Sequence, residues 1–389
     1  MKFIFFLLFI VSLPTFAQDL TPEKIDLFFK DGVTFQEKND FMMRMRFRVQ
    51  NRFTLESREA EETTLKNSEF TVRRVRLRFD GYALDPRLLY RLQLSFTRAD
   101  QDWDNAQVPN ILRDAVVGWR WHPQHTLWFG LAKLPGNRQR VISSSAQQFV
   151  DRSIVNATFN IDRDVGLQHY SQFGATRPIW LKLALSNGQG RNQPNRNASL
   201  AATARVEWYP LGPFHDDGDN FEADLYREPE PRLGLGLSQS TNEQTSRTGG
   251  QIGKDLPEGV FRTLDTHFAD LVFKYRGFSL SSEWAKRTAP APIITDKLFI
   301  YTGEGVNIQS GYIFESNWEP SLRWSVLRPT PDIKSVAQEQ RQYVVGLSKY
   351  IKNHVVKVQG DLTYQELVPT RSLGYNSNWI LRLQLELGI

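Results

Sequence analysis

The residues of this chain best suited to chemistry are arginines, and they recur at a spacing of two. Arg44, Arg46 and Arg48 alternate with apolar residues and are followed in phase by Arg52; Arg74, Arg76 and Arg78 repeat the pattern, and Arg91 and Arg120 fall in later segments of the same kind. A guanidinium stays charged at physiological pH, so it moves no proton; it presents a planar fork of donors suited to carboxylate, sulfate or phosphate. Spaced by two on an extended chain, neighbours share one face about 6 to 7 Å apart, within the roughly 8 Å Debye length of physiological salt. Their potentials add, and the chemistry open to such a ladder is the concentration of anions.

The competing use of these cations is structural, as partners of the wall carboxylates Asp80, Asp114, Glu207, Asp270, Glu283 and Asp361. Segment 41–56 carries four arginines on its polar face with Glu56 as the only acid beside them, which favours an uncompensated positive surface there.

Catalysis finds little to work with. Cysteine is absent, which removes disulfides, thiolate metal sites and cysteine nucleophiles together. None of the six histidines, His122, His125, His169, His215, His267 and His354, has a serine beside it in a recognisable nucleophile setting. His122-x-x-His125 and the acidic run from His215 to Asp219 read as a solvated turn and a loop, and the latter lacks the terminal glutamate of a calcium loop. Gly234-Leu235-Gly236 is not a phosphate cradle, because no helix follows. The expectation is a protein that is no enzyme, with no cofactor, no metal and no nucleic-acid partner.

The elements that must position the arginines are strands. In Phe41 to Glu56 the odd positions run Phe41, Met43, Met45, Phe47, Val49, Asn51, Phe53, Leu55, while the arginines hold even positions. A strand puts these sets on opposite faces, whereas a helix would scatter arginines all round. The same alternation recurs at Val75 to Phe79, Tyr90 to Thr97, Ala115 to Trp121, Ala202 to Trp208, Ala269 to Tyr275 and onward to Trp379 to Ile389. About sixteen such segments can be counted, an even number suited to a bacterial barrel.

Link lengths agree. Short links, such as His122 to His125 and Arg276-Gly277, alternate with long polar ones, such as Leu134 to Asn160 and Ser240 to Arg262. The exception is Pro210 to Pro231, an acidic segment rich in proline and glycine where a turn is due; it is either a periplasmic insertion or a miscounted strand pair. Upstream, Lys2, the apolar run Phe3 to Leu13 and Thr15-Phe16-Ala17 have the three parts of an export signal cleaved before Gln18. No later stretch is apolar enough for a membrane helix, and mean hydropathy is −0.43.

The fold expected is therefore all-β, a 16-stranded antiparallel transmembrane β-barrel over 41–389. It follows a signal peptide at 1–17 and a periplasmic lead-in at 18–40, with a short amphipathic helix open at Pro22 to Lys30. Its greasy face meets outer-membrane lipid. A lumen lined with charge cannot pack dry, since each unpaired buried charge costs several kcal/mol, and sixteen strands leave an aqueous channel. The implied function is an anion-preferring pore for small solutes in the bacterial outer membrane. Two rival readings are a sugar-selective pore, with Trp103, Trp128 and Trp180 as contributors to an aromatic slide, and an outer-membrane hydrolase, for which no nucleophile and base stand out.

The run Arg73-Arg74-Val75-Arg76-Leu77-Arg78-Phe79-Asp80-Gly81 resembles the second strand of the phosphate-selective porin O and P family. Similar motifs follow in the family's order: Leu112-Arg113-Asp114-Ala115, Phe129-Gly130-Leu131-Ala132-Lys133-Leu134-Pro135, Asp151-Arg152-Ser153, Asn187-Gly188-Gln189-Gly190 and Trp318-Glu319-Pro320-Ser321. The resemblance implies a homotrimer inserted by the barrel-assembly machinery. It also implies that loop 134–160 folds inward as a constriction, with Lys133, Arg138, Arg140 and Arg152 as anion contacts. Two features depart from the family: this loop is rich in Ser, Gln and Asn with few cations, which leaves phosphate specificity unsupported, and Ile389 stands where an aromatic terminal residue is usual.

Overall fold

The structure, a computed structural model, describes residues 26–28, 32–61, 64–97, 111–191, 193 and 197–389; of 26–28 only the backbone is described. Residues 1–17, expected to be an export signal, and Trp103 lie outside these residues.

Sixteen strands form one antiparallel sheet. In chain order they are β1 (Phe41–Ser57), β2 (Leu65–Ala83), β3 (Asp85–Ser95), β4 (Leu112–His122), β5 (His125–Lys133), β6 (Arg163–Phe173), β7 (Ile179–Ser186) and β8 (Ala201–Trp208). They continue as β9 (Arg232–Thr245), β10 (Arg262–Tyr275), β11 (Phe278–Thr288), β12 (Gly303–Tyr312), β13 (Trp318–Pro329), β14 (Gln340–Lys352), β15 (Val356–Leu367) and β16 (Asn376–Gly388). Each pairs with its sequence neighbour, and β16 pairs with β1 from Ile380↔Glu56 to Gly388↔Arg48, which closes the barrel and leaves no open edge. Among the described residues no helix is long and apolar enough to cross a membrane; the strands cross instead.

Alternation decides the faces. In β8 Thr203, Arg205 and Glu207 are buried inside while Ala202, Ala204, Val206 and Trp208 lie exposed outside. The apolar core is thus displaced outward onto lipid, and the largest buried cluster among the described residues, Leu134, Val155, Phe159, Ile161, Phe268 and Leu327 with their neighbours, joins an inward loop to the inner wall.

At one end of the barrel the links run to between seven and twenty-nine residues; at the other they have one to five, with a single exception. Arg276-Gly277 shows why the short ones suffice: both residues have positive φ, 48° and 93°, the twist that lets Tyr275 face Phe278 directly across a two-residue turn. The exception is 209–231, which leaves β8 on the turn side and folds back into the lumen around a 3-10 turn at His215–Asn220. It adds no strand, so the count of sixteen stands and the segment is an insertion at the turn end.

The lead-in differs from the helix left open at Pro22 to Lys30. Asp26–Phe28 is extended and pairs with the strand Val33–Glu37, which pairs with β1 from Val33↔Met45 to Glu37↔Phe41. The reason lies in the seam. Because β16 ends at Gly388 opposite Arg48, the first residues of β1 would present unpaired backbone groups, and the lead-in strand satisfies them.

Candidate functional site

Three strands supply a wall of cations. In the β1/β2 ladder Arg46 stands directly opposite Arg78 and Arg48 opposite Arg76, and Arg91 of β3 faces Asp80. Like charges directly opposed on one face repel, so the wall needs neighbouring acids or mobile anions. Some acids are supplied: Asp80 accepts from Arg46 and, at 2.8 Å, from Arg78 Nε, and Glu386 lies 3.2 Å from Arg48 Nε. Arg91 rests over the Trp128 ring at 5.6 Å. Among the described residues neither Arg44 nor Arg91 has a carboxylate within 4.0 Å.

These residues border a luminal cavity of about 1540 Å³, lined by fifteen arginines and two lysines against five aspartates and no glutamate. Of the arginines singled out in the sequence, Arg44, Arg46, Arg48, Arg74, Arg76, Arg78 and Arg91 line it. Arg52 and Arg120 do not. Arg52 is buried and gives both Nη groups to Asp151, at 2.7 and 2.9 Å, so its charge is spent on the inward loop. Arg120 lies exposed at the turn end of β4.

Loop 134–162 enters the barrel through two short helices, α1 (Arg138–Val141) and α2 (Ile154–Phe159), and seats on the opposite wall by donating to its carboxylates. Asn137 and the backbone of Gln139 donate to Glu283, the Gln148 amide donates to Glu319 at 2.6 Å, and the Val150 N–H donates to Asp361 at 3.1 Å. Two glycines permit the approach. A Cβ on Gly311 would sit 2.1 Å from the Gln148 amide nitrogen, and one on Gly346 would sit 2.9 Å from the Phe149 ring.

The loop's cations fare unequally. Lys133, Arg140 and Arg152 line the cavity. Lys133 and Arg152 donate to the carbonyls of Gln139, Val141 and Ile142, and so brace the end of α1. Arg138 is absent from the lining: it is buried against Asp270 at 2.6 Å, which Arg205 also grips through two bonds. Its charge is neutralised inside the loop seat, out of reach of a solute. In the loop itself, burial acts to raise the Asp162 and Asp151 carboxyls. Arg140, Arg163 and Arg113 around the first, and Arg52, Arg73 and Arg382 around the second, outweigh burial and hold both below the ordinary carboxylate range.

Several lining residues escaped the sequence reading. Arg73 and Arg113 are the extra residues of two register shifts, opposite Gln50/Asn51 and Gln93/Leu94. A bulge breaks period two and turns an additional side chain to the same region, so no alternation rule finds them. Arg163, Lys182, Arg191, Arg205 and Arg382 come from strands or loops remote in sequence, and the polar face of each strand was their only signal. Trp128 faces inward beneath Arg91, and Trp180 packs beside Tyr209, Phe214 and Val272. Neither lines the cavity, and the two make no continuous aromatic track.

Residues 43–230 match a family model described as phosphate-selective porin O and P. No curated protein matches the sequence. Among solved structures, the outer membrane channel DcaP of Acinetobacter baumannii is similar at 11% identity and a TM-score of 0.58, with 91% of this chain and 99% of that one covered. An anion-selective porin from Comamonas acidovorans gives 12% identity, 0.55, and 89% and 99% coverage. OmpT of Vibrio cholerae in a trimer form gives 11%, 0.51, and 88% and 99%.

Proposed function

We propose, from the match of residues 43–230 to the model of the phosphate-selective porin O and P family, that the chain is a passive diffusion channel of the bacterial outer membrane preferring small anionic solutes. Phosphate is one oxyanion among several. The observation that carries the preference is the charge of the cavity wall, seventeen cations facing five aspartates. A low-dielectric passage lined by one sign concentrates the other. Arg44, Arg46, Arg48, Arg74, Arg76, Arg78 and Arg91 form the anion path, with Lys133, Arg140 and Arg152 at its narrow part. The anion selectivity named for the Comamonas porin supports this reading. Among the described residues Trp128 and Trp180 do not line the cavity, which favours this reading over a sugar pore. Solutes pass without bond chemistry, and the assembly proposed is a homotrimer, as the trimer form of OmpT suggests.

Planar-bilayer recording under a salt gradient tests the reading. The reversal potential should have the sign of anion preference, and phosphate and sulfate should reduce chloride current more than a neutral sugar does. Cation preference would overturn it.

A further inference from the structure

The 209–231 insertion does more than occupy the turn end of the lumen. Its outer part is tied down. Buried Lys274 donates to the carbonyls of Gly218 and Ala223, both at 2.7 Å, the Gly277 N–H donates to Asp224 at 2.7 Å, and Arg227 donates to the Ile313 carbonyl at 2.6 Å. Ala223 packs with Ile313 and Tyr350 of the wall. So anchored, it presents Glu222 to the inward loop. The Glu222 N–H donates to the Ala146 carbonyl at 2.9 Å; one carboxylate oxygen accepts from the Gln148 N–H at 2.8 Å and the other from the Gln139 amide at 3.1 Å.

These three bonds reach the loop beside its tip. Its tip crosses the lumen from the acidic wall to the arginine wall, where Ser144 accepts from Arg76 at 2.9 Å. Next to the tip, Phe221 of the insertion stacks on His354 at 4.8 Å, and His354 Nδ1 donates to the Ser145 carbonyl at 3.1 Å. The underside of segment 139–148 therefore rests on a support built from the turn side. Glu222 is buried, and with no cation within 4.0 Å among the described residues its carboxylate depends on the loop's amide donors.

We infer that the insertion is a latch that sets the position of the constriction loop from the periplasmic side, with Glu222 as its positioning residue. The inference rests on the channel reading for its meaning, since the bore at the crossing is then fixed by two elements entering from opposite ends. Releasing Glu222 loosens the segment beside the tip, where Lys357, Gln359 and Ser348 still donate to the Gln147 and Gln148 carbonyls, while the loop base stays held by Asp270 and Glu283.

The test compares Glu222→Ala, Glu222→Gln and, as an insertion control, Glu228→Gln, in the full-length protein, with resistance to SDS at room temperature as the check on barrel folding. Amide hydrogen exchange is read in the loop and across the barrel. In Glu222→Ala the amides around Ser145 to Gln148 should exchange on the order of ten-fold faster, with strand amides unchanged. Glu222→Gln, which keeps an acceptor for Gln148, should restore most of the protection, and Glu228→Gln should leave the loop as it is. In bilayers Glu222→Ala should show added current fluctuation without reversing ion preference. Loop exchange unchanged in Glu222→Ala, or a rise spread evenly over all barrel amides, overturns the inference. Exchange is measured without current, so a wild-type protein that does not conduct would defeat the channel reading alone.

Discussion

Lumen-facing arginines in this protein meet one of two fates, and the difference is whether a carboxylate shares their desolvated surroundings. Arg138 and Arg205 converge on Asp270 and are buried with it. Arg44 and Arg91 border the cavity with no carboxylate within 4.0 Å among the described residues. Removing one member of a buried pair leaves the other charge uncompensated, whereas removing a cation from a solvated wall changes the field and little else. Arg91→Ala should therefore lower the anion-to-cation permeability ratio by roughly two-fold or more at 0.1 M salt, with a smaller effect at 1 M, where the Debye length falls to about 3 Å. Arg138→Ala should leave that ratio near wild type. It should instead destabilise the folded barrel by about 1–3 kcal/mol, moderated because Arg205 still holds Asp270. Reversal potentials read the first change and the temperature of the folded-to-unfolded gel shift reads the second.

Elements matter through their irregularities. A regular β2 would bring Arg74, Arg76 and Arg78 inward; the bulge at Arg73 adds a fourth cation to the same wall, and the one at Arg113 does so on β4. On the facing wall the needed irregularity is the missing side chain. Gly311 and Gly346 let Gln148 and Phe149 approach the strands closely. Gly346→Val would drive a branched side chain against Phe149 and the Ser321 hydroxyl, contacts of 2.9 and 2.5 Å already at Cβ. We expect a loss of about 1–3 kcal/mol together with a displaced loop, seen as altered single-channel conductance. Conductance identical to wild type would show that the loop seat does not depend on that contact.

Across the whole molecule the charges are separated. Arginines crowd β1 to β3, whereas Asp270, Glu283, Glu319 and Asp361 stand on the facing strands beside Arg205 and Lys274, and loop 134–162 lies on those strands because its amides and Arg138 satisfy the acids there. Two ion pairs of the loop, Arg52–Asp151 and Arg140–Asp162, have a pH dependence of fixed sign. Asp151 and Asp162 have carboxyls lower in the folded protein than the ordinary value near 3.9. Their contribution is then fully present above about pH 4 and lost as the pH falls through the lower folded values. The part of the loop's exchange protection that Asp151→Asn or Asp162→Asn removes should accordingly stay level from neutral pH to about pH 4 and be lost only in stronger acid. Protection in that part lost between pH 5 and 7 would mean that these pairs do not hold the loop.

Much of this was legible in the residues alone. Period two fixes the face of every side chain in a strand, so the barrel, the strand number, the lipid-facing rows and the inward arginines of β1 to β3 all follow from local spacing. Which acid meets which cation does not follow, because face says nothing about partners across a lumen. Arg52, Arg120 and Arg138 thus looked equivalent to Arg76 and are not. Bulges hide Arg73 and Arg113 from any rule of alternation. The lead-in became a strand because the seam of β1 left backbone groups to satisfy, and the 209–231 insertion turned inward because Lys274 and the loop's amides are inside. Those choices belong to closure of the sheet, which brings residues 146 and 222 within one hydrogen bond of each other.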